Sequence, residues 1–150
     1  MAGEQTKAAI AAQPAWLAQV PTDRRFPEGA RLLFTGCGTS FHAAWTGGDA
    51  VQALELALAP DRDADLLVLV SHEGDTELTL AAARAWRGPR WLISGKPDGP
   101  IAELCDEVVV CTPAIEESWC HTASYTCAVA AIAALEGEDV SWLPDAVAAA

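Results

Sequence analysis

From residue 31 onward the chain alternates two kinds of segment. Short uninterrupted apolar runs stop at polar breaks, and longer stretches follow with apolar residues at helical spacing. The clearest run is "LLVLV", residues 66 to 70. It does not alternate with polar residues, as expected of a strand covered on both faces of a parallel sheet. "RLLFT" (31 to 35), "RWLIS" (90 to 94) and "EVVVC" (107 to 111) read as further strands, and "LELAL" (54 to 58), which alternates, as another. Helices are predicted over 4 to 19, with Pro14 kinking or dividing it, and over 39 to 53, broken near Gly47 and Gly48. Others are predicted over 76 to 86, around 99 to 104, and over about 118 to 135. "VPTDRRFPEGA" reads as a linker and "APDRDAD" as a polar turn.

Strands that alternate with helices make a parallel sheet with helices on both faces. Three polar motifs follow strands: "GCGTS", "SHEGDT" and "EESWCHTASYT". In a doubly wound sheet of order 2-1-3-4-5, the loops after strands one and three flank the crevice where ligands bind. Both loops open helices, whose first N–H groups and positive dipole end suit an anion. Thr39, Ser40, Ser71 and Thr76 would add hydroxyls. The competing reading of each hydroxyl is a plain helix cap; two such loops side by side favour a binding role.

Composition narrows the partners. Apolar residues make up 51% of the 150 residues and charged ones 20%, the mix of one globular domain. A net charge of -12 argues against a nucleic-acid or anionic-membrane surface, but not against a small anion held by backbone N–H groups. No apolar run is long enough for a membrane span. The first residues lack the order of a signal peptide, and five cysteines without paired spacing suit a reduced, cytoplasmic chain.

The motifs "FTGCGTSFHAA", "LLVLVSHEGDTELTLAAARA" and "EESWCHTASYT" together resemble the sugar isomerase (SIS) domain. The nearest subgroup is the isomerase part of glucosamine-6-phosphate synthases and related ketosamine isomerase/deaminases. The resemblance implies a three-layer α/β/α sandwich on a five-stranded parallel sheet of flavodoxin-like order 2-1-3-4-5. It divides the chain into a helical leader and linker (1 to 28), the SIS domain (29 to 137) and a tail resembling an interdomain linker (138 to 150). It implies a phosphorylated sugar or amino sugar as partner, and no cofactor or metal is expected. The apolar set of Trp16, Leu17 and the Ala-rich helix over about 118 to 135 leads us to expect a homo-oligomer, most simply a dimer. Carried over by motif, the substrate-binding residues are Gly38, Thr39, Ser40, Ser71, His72, Glu73, Gly74 and Thr76, with Gly38 and Gly74 acting through backbone N–H groups.

Two departures stand out. Glu73 occupies a place usually held by a phosphate-contacting Ser, and Ala123 one often held by Lys. A carboxylate beside a phosphate repels it unless it turns away, pairs with a cation or is protonated. For catalysis, Glu116 or Glu117 is the candidate base for proton transfer between C1 and C2, with His121 or a subunit-borne histidine assisting ring opening. The competing reading of Glu116 and Glu117 is a charge pair capping the long helix. The chain is expected to be either an isolated first half of a two-domain enzyme or a single-domain relative, and to bind better than it catalyses.

Other chemistry is less specific. "GCGTSF" has Phe41 where a dinucleotide fingerprint needs Gly. His42, His72 and His121, with Glu73 or Cys120, match no known metal-ligand spacing. Cys37 at a helix start would stabilise a thiolate, but a structural Cys is the simpler reading. Ser118, Cys120 and His121 could form a nucleophilic constellation, without an identifiable orienting partner.

Overall fold

The computed structural model describes residues 2–150; Met1 of the expected leader lies outside them. Five parallel strands, β1 (Leu32–Gly36), β2 (Ala50–Gln52), β3 (Leu66–Val70), β4 (Arg90–Ser94) and β5 (Glu107–Val110), form one sheet in the order 2-1-3-4-5. Around it lie six helices: α1 (Ala2–Leu17), α2 (Thr39–Ala44), α3 (Ala53–Leu58), α4 (Glu77–Ala85), α5 (Thr122–Glu136) and α6 (Leu143–Ala148). This is the α/β sandwich expected.

The apolar runs are continuous because each strand feeds two cores. Along β3, Leu66, Val68 and Val70 point into one cluster with Phe34, Ile93, Val109 and the inner face of α5. Leu67 and Leu69 point into the other, with Leu33, Leu92, Leu56, Ala82 and Ala83 of the α3–α4 side. A period of two along the strand thus meets apolar partners at every residue.

The second strand is a correction. "LELAL" is not a strand but most of α3, and β2 is the preceding three residues. Its alternation at Leu54, Leu56 and Leu58 imitates a strand, but only Leu56 is buried, while Leu54 is 50% and Leu58 78% exposed. The buried pair is Ala53 and Leu56, three residues apart and so on one helical face. The helix predicted over 39 to 53 ends at the break expected near Gly47 and Gly48. α2 runs into a short 3-10 turn at Trp45–Gly47, and Gly48 (φ 116°) redirects the chain into β2.

The flanking segments are packed onto the domain. α1 continues through Pro14 to Leu17 and lies against α5 and α6. Leu17 joins the α5 core, and Trp16, half-buried, packs against it. In the linker, Phe26 sits edge-on to Phe34 (5.9 Å) and beside Trp91 (5.5 Å), and its N–H donates to the Leu135 carbonyl. In the tail, Leu143 and Val147 of α6 pack on the same core.

Charge pairing gathers at the amino ends of the strands. Arg31 joins Asp63 and Asp65, Arg24 joins Glu107 at 2.8 Å, and the Arg90 N–H donates to Asp106 at 2.8 Å. The carboxyl ends, where strand order reverses between β1 and β3, hold the pocket.

Candidate functional site

A cavity of about 340 Å³ opens at the carboxyl edge of the sheet, within the size range of small-ligand sites. One wall is the β1–α2 loop, with Cys37, Gly38, Thr39 and Ser40; the opposite wall is the β3–α4 loop, with His72, Glu73, Asp75 and Thr76. Ser94 and Cys111 at strand ends, and one face of α5, complete it. That face is His121, Ser124, Tyr125 and Ala128, a stripe at positions i, i+3, i+4 and i+7.

Six of the eight expected binding residues therefore line one cavity: Gly38, Thr39, Ser40, His72, Glu73 and Thr76. Ser71 and Gly74 do not. Ser71 is buried, and its hydroxyl shares a hydrogen bond with that of Thr76 at 3.1 Å. The Gly74 N–H, expected to face a ligand, donates to the Ser71 carbonyl at 3.2 Å in a tight turn. Both help shape the loop behind the wall.

His72 is held on three sides. Its Nε2 accepts the Glu116 backbone N–H at 2.8 Å. Its carbonyl accepts the Gly95 N–H and the Ser94 hydroxyl. Its ring rests on Gly95, where any side chain would collide with it. With Nε2 an acceptor, the neutral ring carries its proton on Nδ1, which is buried without a partner. The His121 ring stands edge-on to it, 5.7 Å between centroids, and the His121 Nδ1 is also buried without a partner.

Burial first, then the neighbouring His121, pulls the His72 pKa down to about 4 against the attraction of Glu116. The unfolded ring, with an ordinary value of about 6.5, therefore binds the proton more readily than the folded one. This contribution to stability is complete above about pH 6.5 and is lost as pH falls toward 4. We expect a loss on the order of 2 kcal/mol across that window, discounted for partial exposure of the ring. Urea unfolding at pH 7 and pH 4.5 measures it. Equal pH sensitivity in His72→Gln would assign the effect to another group.

Glu116 is the residue whose role the structure changes most. It is buried, and both oxygens are occupied: one by the Thr122 N–H (2.8 Å) and hydroxyl (3.3 Å), the other by the Ser124 N–H and hydroxyl, both at 2.7 Å. Burial raises its pKa, but these donors outweigh burial and the net shift is downward. A carboxylate so held is a cap on α5, and it lies outside the cavity lining. Glu117 is exposed and also outside the lining. Of the three residues expected to carry catalysis, only His121 faces the cavity. It does so in a left-handed backbone conformation, φ 46° and ψ 53°, unusual for a residue with a Cβ.

The less specific constellations are not assembled. His42 is exposed on α2 and does not line the cavity. No group of three metal-ligating side chains occurs among the described residues. The Ser118 hydroxyl shares a hydrogen bond with Thr6 of α1 at 3.1 Å, and Cys120 is exposed. Sequence reasoning did not single out Asp75, Ser94, Ser124 or Tyr125. The α5 stripe was nevertheless present in the spacing from His121.

No protein-family profile and no curated protein matches the chain. Solved structures do. Tagatose-6-phosphate ketose/aldose isomerase from Escherichia coli matches with TM-score 0.76 at 18% identity, over 97% of this chain and 51% of that one. Glucosamine-6-phosphate deaminase from Thermotoga maritima matches with TM-score 0.68 at 18% identity, over 97% and 53%. A protein of E. coli CFT073, solved as a ligand complex, matches with TM-score 0.68 at 16% identity, over 95% and 89%. The chain thus has the fold of the phosphosugar isomerases, the SIS fold. It spans about half the length of the first two proteins and most of the third.

Proposed function

We propose that the pocket binds a phosphorylated sugar or amino sugar, and that the chain is the sugar-phosphate-binding part of an aldose–ketose isomerase or deaminase. The observation that carries this is one cavity at the β1/β3 switch point, walled by two hydroxyl-bearing loops that each open a helix. The fold it shares with phosphosugar proteins supports the ligand class.

Binding is the stronger half of this reading. Proton transfer needs a base within about 3 Å of the reacting carbon, and Glu116 is occupied while Glu117 lies outside the cavity. The same fact favours a second reading, a phosphosugar-sensing module without turnover. Calorimetry with fructose 6-phosphate and glucosamine 6-phosphate, paired with assays of their interconversion and deamination, tests both. We expect saturable binding with little or no turnover. Absence of binding to any sugar phosphate would overturn the ligand class. Robust turnover would show a self-sufficient active site and discard the sensing reading.

A further inference from the structure

We infer that Glu116 is a positioning residue, which sets the geometry of the pocket by tying its two histidine-bearing walls together.

Glu116 reaches both walls at once. Through its backbone N–H it holds Nε2 of His72, on the β3–α4 loop, at 2.8 Å. Through its carboxylate it holds the N–H and hydroxyl of Thr122 and of Ser124, the residues just beyond His121 at the start of α5. His121, in its left-handed conformation, is thus the last residue of the loop that the Glu116–Thr122 bonds close. A strained backbone of this kind persists only when its surroundings over-determine it. Four charge-assisted hydrogen bonds to one buried carboxylate supply such surroundings. The separation of the two rings is fixed in consequence, since one end of each connection is the same residue.

The position of Glu116 in its loop fits this role. Between the buried Thr112, whose hydroxyl bonds the Ala114 carbonyl, and the buried Ser118, which bonds α1, the residues Pro113, Ala114 and Ile115 are exposed. Glu116 is where this stretch turns inward, so its side chain decides where its own N–H points. There is a second consequence. The amino terminus of α5, the longest helix on this edge, already holds an internal anion. A ligand's phosphate is thereby directed away from it, toward the two loops that face each other across the cavity.

Long-range nitrogen–proton NMR of the imidazole rings in the unliganded protein provides the first test. In the wild type at pH 7, His72 is expected as the Nδ1–H tautomer. In Glu116→Gln, which sets an NH₂ group against donors, the loop shifts. The His72 titration midpoint should then rise by about one pH unit as the ring is released toward solvent. Of the charged groups acting on that ring, His121 across the pocket is retained in the variant, while the Glu116 charge, which attracts a proton to His72, is lost, and that loss works against the rise. Glu73 and Asp75, which line the same cavity, are retained. Ser124→Ala removes one of the four donors and should produce a smaller change of the same sign; it serves if Glu116→Gln fails to fold. A ligand arm, which rests on the function proposed above, expects about tenfold weaker binding of glucosamine 6-phosphate by Glu116→Gln. A variant that melts earlier but leaves the His72 midpoint, tautomer and affinity unchanged would reduce Glu116 to a helix cap, as would an Nε2–H tautomer in the wild type. If His72 responds as expected but the wild type binds no sugar phosphate, the ligand class fails and the positioning role stands.

Discussion

Glu73→Ser is expected to tighten the binding of a hexose 6-phosphate by about tenfold, which corresponds to about 1.4 kcal/mol. Glu73 and Asp75 both line the cavity and both are exposed. Among the described residues the lining carries no Lys or Arg, and His72 is neutral near pH 7. Glu73 and Asp75 thus put negative charge on the β3–α4 wall, offset in part by Lys96, whose side chain reaches the Gly74 turn. A phosphate brought to the two carboxylates is repelled to a degree that water and salt only partly screen. The gain should shrink as salt is raised, and it should be absent for the same sugar without its phosphate. Asp75→Asn should act in the same direction. Unchanged or weaker affinity of Glu73→Ser, read by calorimetry at low and high salt, would show that this carboxylate turns away from the phosphate or bonds a sugar hydroxyl.

The sheet was legible in the sequence wherever burial on both faces made the apolar run continuous. β3 and β4 fall on the predicted residues for that reason. It was least legible at β2 and α3. Three leucines at alternate positions fit a strand, and the decision for a helix came from packing of Ala53 and Leu56 against α4 and the sheet. A six-residue run does not contain that information. In the site, the two loops could be placed because glycine and hydroxyl residues mark strand-to-helix turns. Which groups face the cavity could not. Ser71 and Thr76 bond each other, and Gly74 closes its own turn, choices made by the loop's internal hydrogen bonding. Glu116 illustrates the same limit. A carboxylate six residues before a helix can be a base or a cap, and only the positions of four donors decide between them. The left-handed turn at His121, inside the loop those bonds close, likewise has no signature in "SWCHTASYT".

The two glycines of "GCGTS" answer to different physical demands, and the first should be the more costly to replace. A Cβ at Gly36 would stand 2.9 Å from the Ser40 carbonyl carbon and oxygen and 3.0 Å from the Phe41 nitrogen. These are backbone atoms, which no rotamer change can move. The end of β1 and the first turn of α2 are in direct contact, so the glycine is what lets α2 start there. Gly38 has open space around its Cα, but φ 59° and ψ −129°, a conformation that penalises any residue with a Cβ. We expect Gly36→Ala to lower stability by about 2 kcal/mol, the cost of overpacking a tight contact. It should also weaken sugar-phosphate binding more than tenfold, because relieving the clash moves the turn that presents Thr39 and Ser40 to the cavity. Gly38→Ala should cost about 1 to 2 kcal/mol through backbone strain alone. Urea unfolding gives the first quantity. Calorimetry well below the melting temperature, where each variant is folded, gives the second. A Gly36→Ala variant with wild-type affinity under those conditions would mean that the β1–α2 turn does not contact the ligand, and would confine the binding site to the β3–α4 and α5 walls.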